Sequence, residues 1–154
     1  MRTKKMSRLT YALQFIRTAG SPKDAPAVAS SISIATVITP DAVTVTIETL
    51  GQYETASLQV HPTFNQDGSF TETGTITFGD PTGNNLLHFS TIGLGYLNPD
   101  LCTESPYTPG TVMWRIDEGE GFFAGATGAI TSNFLINKST NELIAYQFGV
   151  VNLP

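Results

Sequence analysis

The chain has 154 residues, 40% hydrophobic and 14% charged, with a net charge of −5. That is one domain of globular composition, not a disordered chain, and its single cysteine, Cys102, excludes an internal disulfide and a cysteine-built zinc site. Six of the eight basic residues (Arg2, Lys4, Lys5, Arg8, Arg17, Lys23) precede Asp24; beyond them Arg115 and Lys138 stand against all 13 acidic residues, a balance of −11 that repels phosphate and argues against nucleic acid as a partner.

Residues 1–17 stand apart. Met6, Leu9, Leu13 and Ile16 are spaced three, four and three, which lays one apolar stripe along a basic amphipathic helix. Three roles are open to it: a helix packed on the domain or capping one end, a flexible or membrane-surface basic helix, or a secretory signal. The last reading has a charged MRTKK head and Ala27-Val28-Ala29 as its cleavage site. Cytoplasmic location is the first expectation, secretion after removal of that signal the alternative. No apolar run approaches the roughly 20 residues that span a bilayer, so no stable membrane insertion is expected. Residues 18–31 are small, polar and proline-containing, the composition of a linker.

From residue 32 the helical period gives way to alternation. Ile32, Ile34 and Thr36 alternate, then Val43, Val45 and Ile47, with a break at Pro40-Asp41. Ala56, Leu58 and Val60 form another run, closed by the hairpin signal Asn65-Gln66-Asp67-Gly68. Phe70, Ile76 and Phe78 follow, then a turn over 80–85, then Leu87, Phe89 and Thr91. Residues 98–110 are the longest irregular piece, long enough for a lid or rim. The last strand, 142–151, is apolar on nearly both faces and should be central or sealed on its outer side.

The stretch 111–137 organises the rest. It reads as a strand (111–117), a turn (118–121), a short strand (122–124), a kink (125–128) and a strand (129–137), with glycines at 119, 121, 125 and 128. Glycine corners let a sheet bend and close. Short strands at steady spacing with such corners predict an all-β fold, a closed eight-stranded antiparallel β-barrel over 32–154 carrying the N-terminal helix.

Within that stretch, Gly121, Phe123, Gly125, Ala126 and Gly128 fit the pattern G-x-F-x-G-A-x-G. The hairpin 116–128 thereby resembles the signature hairpin of the allene oxide cyclase-like barrels. More loosely, 31–154 looks like a group of small bacterial proteins, through FSTIGLGYL (89–97), 110–117 and the terminal QFGVVNLP. The wider superfamily includes plant allene oxide cyclases, dirigent proteins and bacterial spirotetronate cyclases. The resemblance implies an eight-stranded barrel with an apolar cavity, assembly as dimers or trimers, and cyclisation or coupling of hydrophobic molecules without metal or redox cofactor. The plant enzymes' catalytic Glu-x-Asn-Glu-type segment has no counterpart in residues 32–38, which hold no carboxylate.

Several side chains are candidates for chemistry. Arg115, mid-strand beside Trp114, is the only cation between Asp24 and Lys138. Pointing inward it is a fixed guanidinium for a carboxylate, enolate or tetronate-like oxygen; pointing outward it pairs with an acid on the neighbouring strand or at a subunit contact. Parity puts Val112, Trp114 and Ile116 on one face and Met113, Arg115 and Asp117 on the other. His88 is either an acid–base group or a hydrogen-bonded sheet residue; His61 belongs to the surface, and the two histidines lack metal-ligand spacing. Arg115, His88 and Tyr146 form the candidate catalytic set. Trp114, Phe89, Tyr96, Phe134 and Phe148, with Tyr107, are candidate cavity lining or plain core. A hydrolase triad of Ser132 with His88, a calcium site at Asp117, Glu118 and Glu120, and a glycosylation sequon at Asn137-Lys138-Ser139 are weaker readings. The function expected is therefore binding of a hydrophobic or polyketide-like molecule in an apolar barrel, with cofactor-free cyclisation or isomerisation by conformational templating. The alternative is a non-catalytic ligand-binding or structural barrel, assembled as a homo-oligomer.

Overall fold

A computed structural model describes residues 7–29, 34–38, 45–49, 56–79, 84–101 and 103–154. Residues 1–6, the Pro40-Asp41 break, much of the 80–85 turn and Cys102 lie outside them. Eleven strands follow one another: β1 (Ser7–Arg17), β2 (Ala27–Ala29), β3 (Ile34–Ile38), β4 (Val45–Thr49), β5 (Ala56–Phe64), β6 (Ser69–Phe78), β7 (Leu86–Thr91), β8 (Gly95–Leu97), β9 (Thr108–Glu120), β10 (Thr127–Asn137) and β11 (Glu142–Leu153). They form a closed antiparallel barrel of eight staves. The ring runs β1–β11–β10–β9–β7–β6–β5–β2 and back to β1, with β8 continuing the stave of β7 and the β3–β4 hairpin hung on the lower edge of β1.

The expected N-terminal helix is absent: residues 7–17 are strand β1, and no α-helix occurs among the described residues. The segment carries two periods at once. The helical stripe used Leu9, Leu13 and Ile16, but Leu9, Tyr11, Leu13 and Phe15 also alternate, and all four are buried inside the barrel. Ile16 points outward. Period two wins because β11 offers a partner edge. Eleven residues of β1 pair with it, from Ser7 opposite Leu153 to Arg17 opposite Leu143. The barrel therefore begins at β1, and the expected linker contains β2, which bridges β1 to β5.

The inner faces fill the barrel with rings. Trp114 stacks on Phe89 at 4.0 Å between centroids, Tyr11 meets Phe78 edge-on at 5.5 Å, and Phe70 meets Phe134 at 6.0 Å. Tyr11 has room only because its partner across the ladder is Gly149, where a Cβ would run into the phenol ring. The glycine corner after β9 is a 3-10 turn (Gly121–Phe123), not the expected short strand; Gly121 takes φ +63° there. It swings Phe123 under the barrel, fully buried against Phe78 at 4.9 Å. The motif residues thus make a plug. At the other end the guanidinium of Arg17 is held by two carbonyls, donating from Nε to Asn141 at 2.7 Å and from Nη1 to Lys23 at 3.1 Å.

Deleting residues 1–17 removes a stave. The truncated chain is expected to lose its cooperative thermal transition and the near-ultraviolet signal of its packed rings; cooperative melting at the full-length temperature would contradict this closure.

Candidate functional site

The strands divide the candidate residues between two surfaces. Trp114, Phe89 and Phe134 point into the barrel, as does buried Ser132. Arg115, His88, Tyr146, Phe148 and Tyr96 point out. The Arg115 side chain is 65% exposed; its Nε donates to Asp117 Oδ1 at 3.1 Å and its Nη2 reaches Ser90 Oγ at 3.4 Å. His88 Nε2 lies 2.8 Å from Glu120 Oε2 and 3.9 Å from Glu118 Oε1. His88 thus pairs across from β7 to β9, whereas Arg115 points outward but takes its acid, Asp117, from two residues along its own strand and reaches β7 only through Ser90. Tyr146 lies on β11, with β10 between it and β9, and takes a hydrogen bond from Gln14 Nε2 at 2.9 Å. The expected catalytic set therefore does not converge on an interior cavity.

The remaining motifs resolve as structure. Ser132 faces inward while His88 faces outward, so no triad assembles. Among the described residues no three His, Cys, Asp or Glu side chains are grouped to hold a metal. Asn137 is nearly buried, and its Oδ1 accepts from the Ser139 backbone N–H at 3.0 Å, which ties up the sequon side chain. Tyr107 sits on the rim and donates from its hydroxyl to Glu142; that bond pushes the phenol pKa up.

The interior holds one acid that the sequence reading passed over. Glu72, on β6, accepts a hydrogen bond from Trp114 Nε1 at 2.9 Å. Its backbone is gripped by Thr91: the Glu72 N–H donates to Oγ1 at 2.7 Å, and Oγ1 donates back to the Glu72 carbonyl at 3.0 Å. Burial raises the carboxyl from 4.5 to about 7, although the indole hydrogen bond pulls it down. A carboxyl group in this setting is half protonated near neutrality, the condition for a general acid or base. The signal was present in the sequence. Phe70, Glu72, Gly74, Ile76 and Phe78 share one parity, so two flanking aromatics and an isoleucine already put Glu72 on the inner face. Two other interior polar groups, the Tyr11 hydroxyl and the Gln147 amide, are buried with no hydrogen-bond partner among the described residues.

The outer wall has a different character on its two sides. Across β7 and β9 it is ionic, as above. Across β1, β11, β10 and upper β9 it is uncharged between Arg8 at one end of β1 and Glu142 at one end of β11. One row runs Ala12, Phe148, Thr131, Met113; the next runs Gln14, Tyr146, Asn133, Thr111 and on to Tyr96 of β8. Tyr146 is 56% exposed, Phe148 51% and Met113 45%. A depression of about 340 Å³ opens here, between Ala12 and Gln14 on one side and Thr131 and Asn133 on the other, with Tyr146 and Phe148 in it. No helix of the described chain is long and apolar enough to cross a membrane.

No protein-family model matches the chain, and no curated protein or solved structure matches it.

The Glu72 carboxyl gives a signed prediction. Its folded pKa lies above its ordinary value, so its contribution to stability is complete below about pH 4.5 and is lost as pH rises through about 7. The loss is of the order of 3 kcal/mol. Trp114 is the only tryptophan, so its fluorescence should titrate with a midpoint near 7 in the native protein. Glu72→Gln should abolish that titration and flatten the stability profile. A wild-type profile with no inflection between pH 5 and 8 would contradict the assignment.

Proposed function

We propose that this protein is a non-catalytic barrel that works by binding through its outer wall. The observation that carries this reading is the contrast between the two faces of the sheet. The inner face is taken up by the chain's own rings, while the outer face of β1, β11 and β10 leaves Tyr146 and Phe148 half exposed beside a concave patch. Exposed aromatics grouped on an uncharged sheet face mark an interaction surface. The hairpin resemblance supports the barrel architecture in this reading, with Gly121 and Phe123 serving the plug and not a reaction.

A second reading, a hydrophobic or polyketide-like guest held and turned over inside the barrel, is favoured by one observation: Glu72 and Trp114 form an acid–indole pair in an apolar interior. In that reading Glu72 replaces Arg115, His88 and Tyr146 as the proton-handling group. Against it stand the side chains that already occupy the interior.

Nile red, a neutral apolar dye, separates the two when titrated against sub-micromolar protein. Tyr146→Ser with Phe148→Ser should abolish binding and leave the melting temperature within a few degrees. Interior Phe134→Leu should leave binding unchanged. Loss of binding only in the interior variant would overturn the outer-wall reading in favour of the interior one.

A further inference from the structure

The uncharged wall is more than an apolar face, because its two central rows differ in kind. We propose that it is a binding platform for a neutral carbohydrate, with sugar rings stacked on Tyr146 and Phe148 and sugar hydroxyls held by Asn133 and by the hydroxyl of Tyr146. The inference rests on the outer-wall reading above and adds the chemical class of the occupant.

Side-chain chemistry is the first argument. Across β1, β11 and β10 one row runs Ala12, Phe148, Thr131, and the next runs Gln14, Tyr146, Asn133. The first presents a ring between two small side chains. The second presents two amides and a phenol. A pyranose has the same two characters: faces made of C–H groups, and a rim of hydroxyls that both donate and accept. The face of an aromatic ring is negative and attracts C–H groups. Amides and phenols offer donors and acceptors together. A purely apolar guest would cover Phe148 and desolvate the amide row without matching it.

The second argument is that these groups are already held in place. Gln14 Nε2 donates to the Tyr146 hydroxyl at 2.9 Å, which positions the phenol and leaves it its own proton to give. Asn133 Oδ1 accepts from Thr111 Oγ1 at 3.0 Å. That orients the amide, and its Nδ2 donors have no acceptor among the described residues. Both β11 and β10 are paired on both edges. The groups therefore stand on rigid backbone, and binding costs little ordering. The depression between β1 and β10 holds both rings and is bordered by Gln14, Thr131 and Asn133. Ring faces and hydrogen-bonding groups thus open into one space.

Charge and shape narrow the class further. No ionised side chain lies on the outer face of β1, β11 and β10 between Arg8 and Glu142. A phosphate, an acidic polysaccharide or a basic peptide finds no counter-charge there. The wall of an eight-staved barrel is convex across its strands and straighter along them. A broad protein surface, which needs about 1,000 Å² of matched contact, is poorly served by such a strip. A narrow extended ligand laid along β11 is well served. It meets Tyr146 and then Phe148, about 7 Å apart along the strand, with Gln14 and Asn133 flanking the first ring and Ala12 and Thr131 the second. A short chain of neutral sugars has that width, that polarity and no charge.

Isothermal titration calorimetry of the full chain tests this, with the uncharged hexasaccharides of cellulose, xylan, laminarin, amylose and chitin as probes. At least one is expected to bind with Kd below about 1 mM and to displace Nile red. Tyr146→Ala and Phe148→Ala should each weaken that binding at least tenfold. Asn133→Ala should weaken it about fivefold; because it removes no ring, it guards against ring variants that fail to fold. Thr73→Ala, on the outer face of β6, should bind as the wild type does. A heparin hexasaccharide, which is anionic, should not bind. If none of the five neutral probes gives heat or displaces Nile red at about 5 mM, or if heparin binds more tightly than they do, the carbohydrate assignment is overturned. If Nile red binding is then still lost in Tyr146→Ser with Phe148→Ser, the outer-wall reading stands with a partner of another class; if the dye never bound, both fall. A hexasaccharide that binds the Tyr146, Phe148 and Asn133 variants as tightly as the wild type overturns the proposed site.

Discussion

The pairing of β1 with β11 is the contact on which the rest of the structure depends. It joins residues 7–17 to 143–153, the first and last described strands, through an unbroken register. An open sheet of this length would present two free edges, each a row of unpaired N–H and C=O groups available to other chains. Closing the ring pairs β1 and β11 along their full length, and among the described residues leaves an open edge on β4 and on the far part of β5. It also decides which side chains are inside, because a strand's facing is fixed once its register is fixed. Tyr11 over Gly149, Phe15 opposite Ala145 and Leu9 opposite Val151 are three consequences of one register.

The closed ring then separates two environments with little exchange between them. Inside, rings pack against rings, and the few polar groups are confined: Arg17 under carbonyls at one end, Glu72 against the indole of Trp114 midway. A charge placed there must be paired or given up, and Glu72 moves toward the neutral form. Outside, the wall is partitioned. Arg115, Asp117, His88 and Glu120 form a solvated ladder on one side. Tyr146 and Phe148 stand on an uncharged field on the other. Exposed ion pairs of the first kind contribute little to stability. An exposed apolar field of the second kind is unfavourable in water, so a partner gains by covering it.

Much of this was legible in the residues. Alternation from residue 32 onward, the turn signals and the glycine corner gave the all-β class and the closed barrel. Parity along 112–117 separated Trp114 from Arg115 correctly, and the two-sided apolarity of β11 located it between neighbours. The N-terminal segment misled because Leu9 and Leu13 belong to both a helical stripe and a β alternation. Only the long-range pairing with β11 distinguishes them, and no local window contains it. The same gap explains the candidate site. Arg115, His88 and Tyr146 were grouped by residue type, whereas their convergence depends on which face each strand turns inward. Glu72 went unremarked in a threonine-rich strand, although its parity with Phe70 and Ile76 places it inside.

Proton NMR of the full chain bears on the closure most directly. The pairing predicts backbone contacts between β1 and β11, linking Leu9 with Val151, Tyr11 with Gly149 and Phe15 with Ala145. A continuous set of contacts between residues three apart through 7–17, with none to β11, would mean that the segment is a helix after all and that the ring is open.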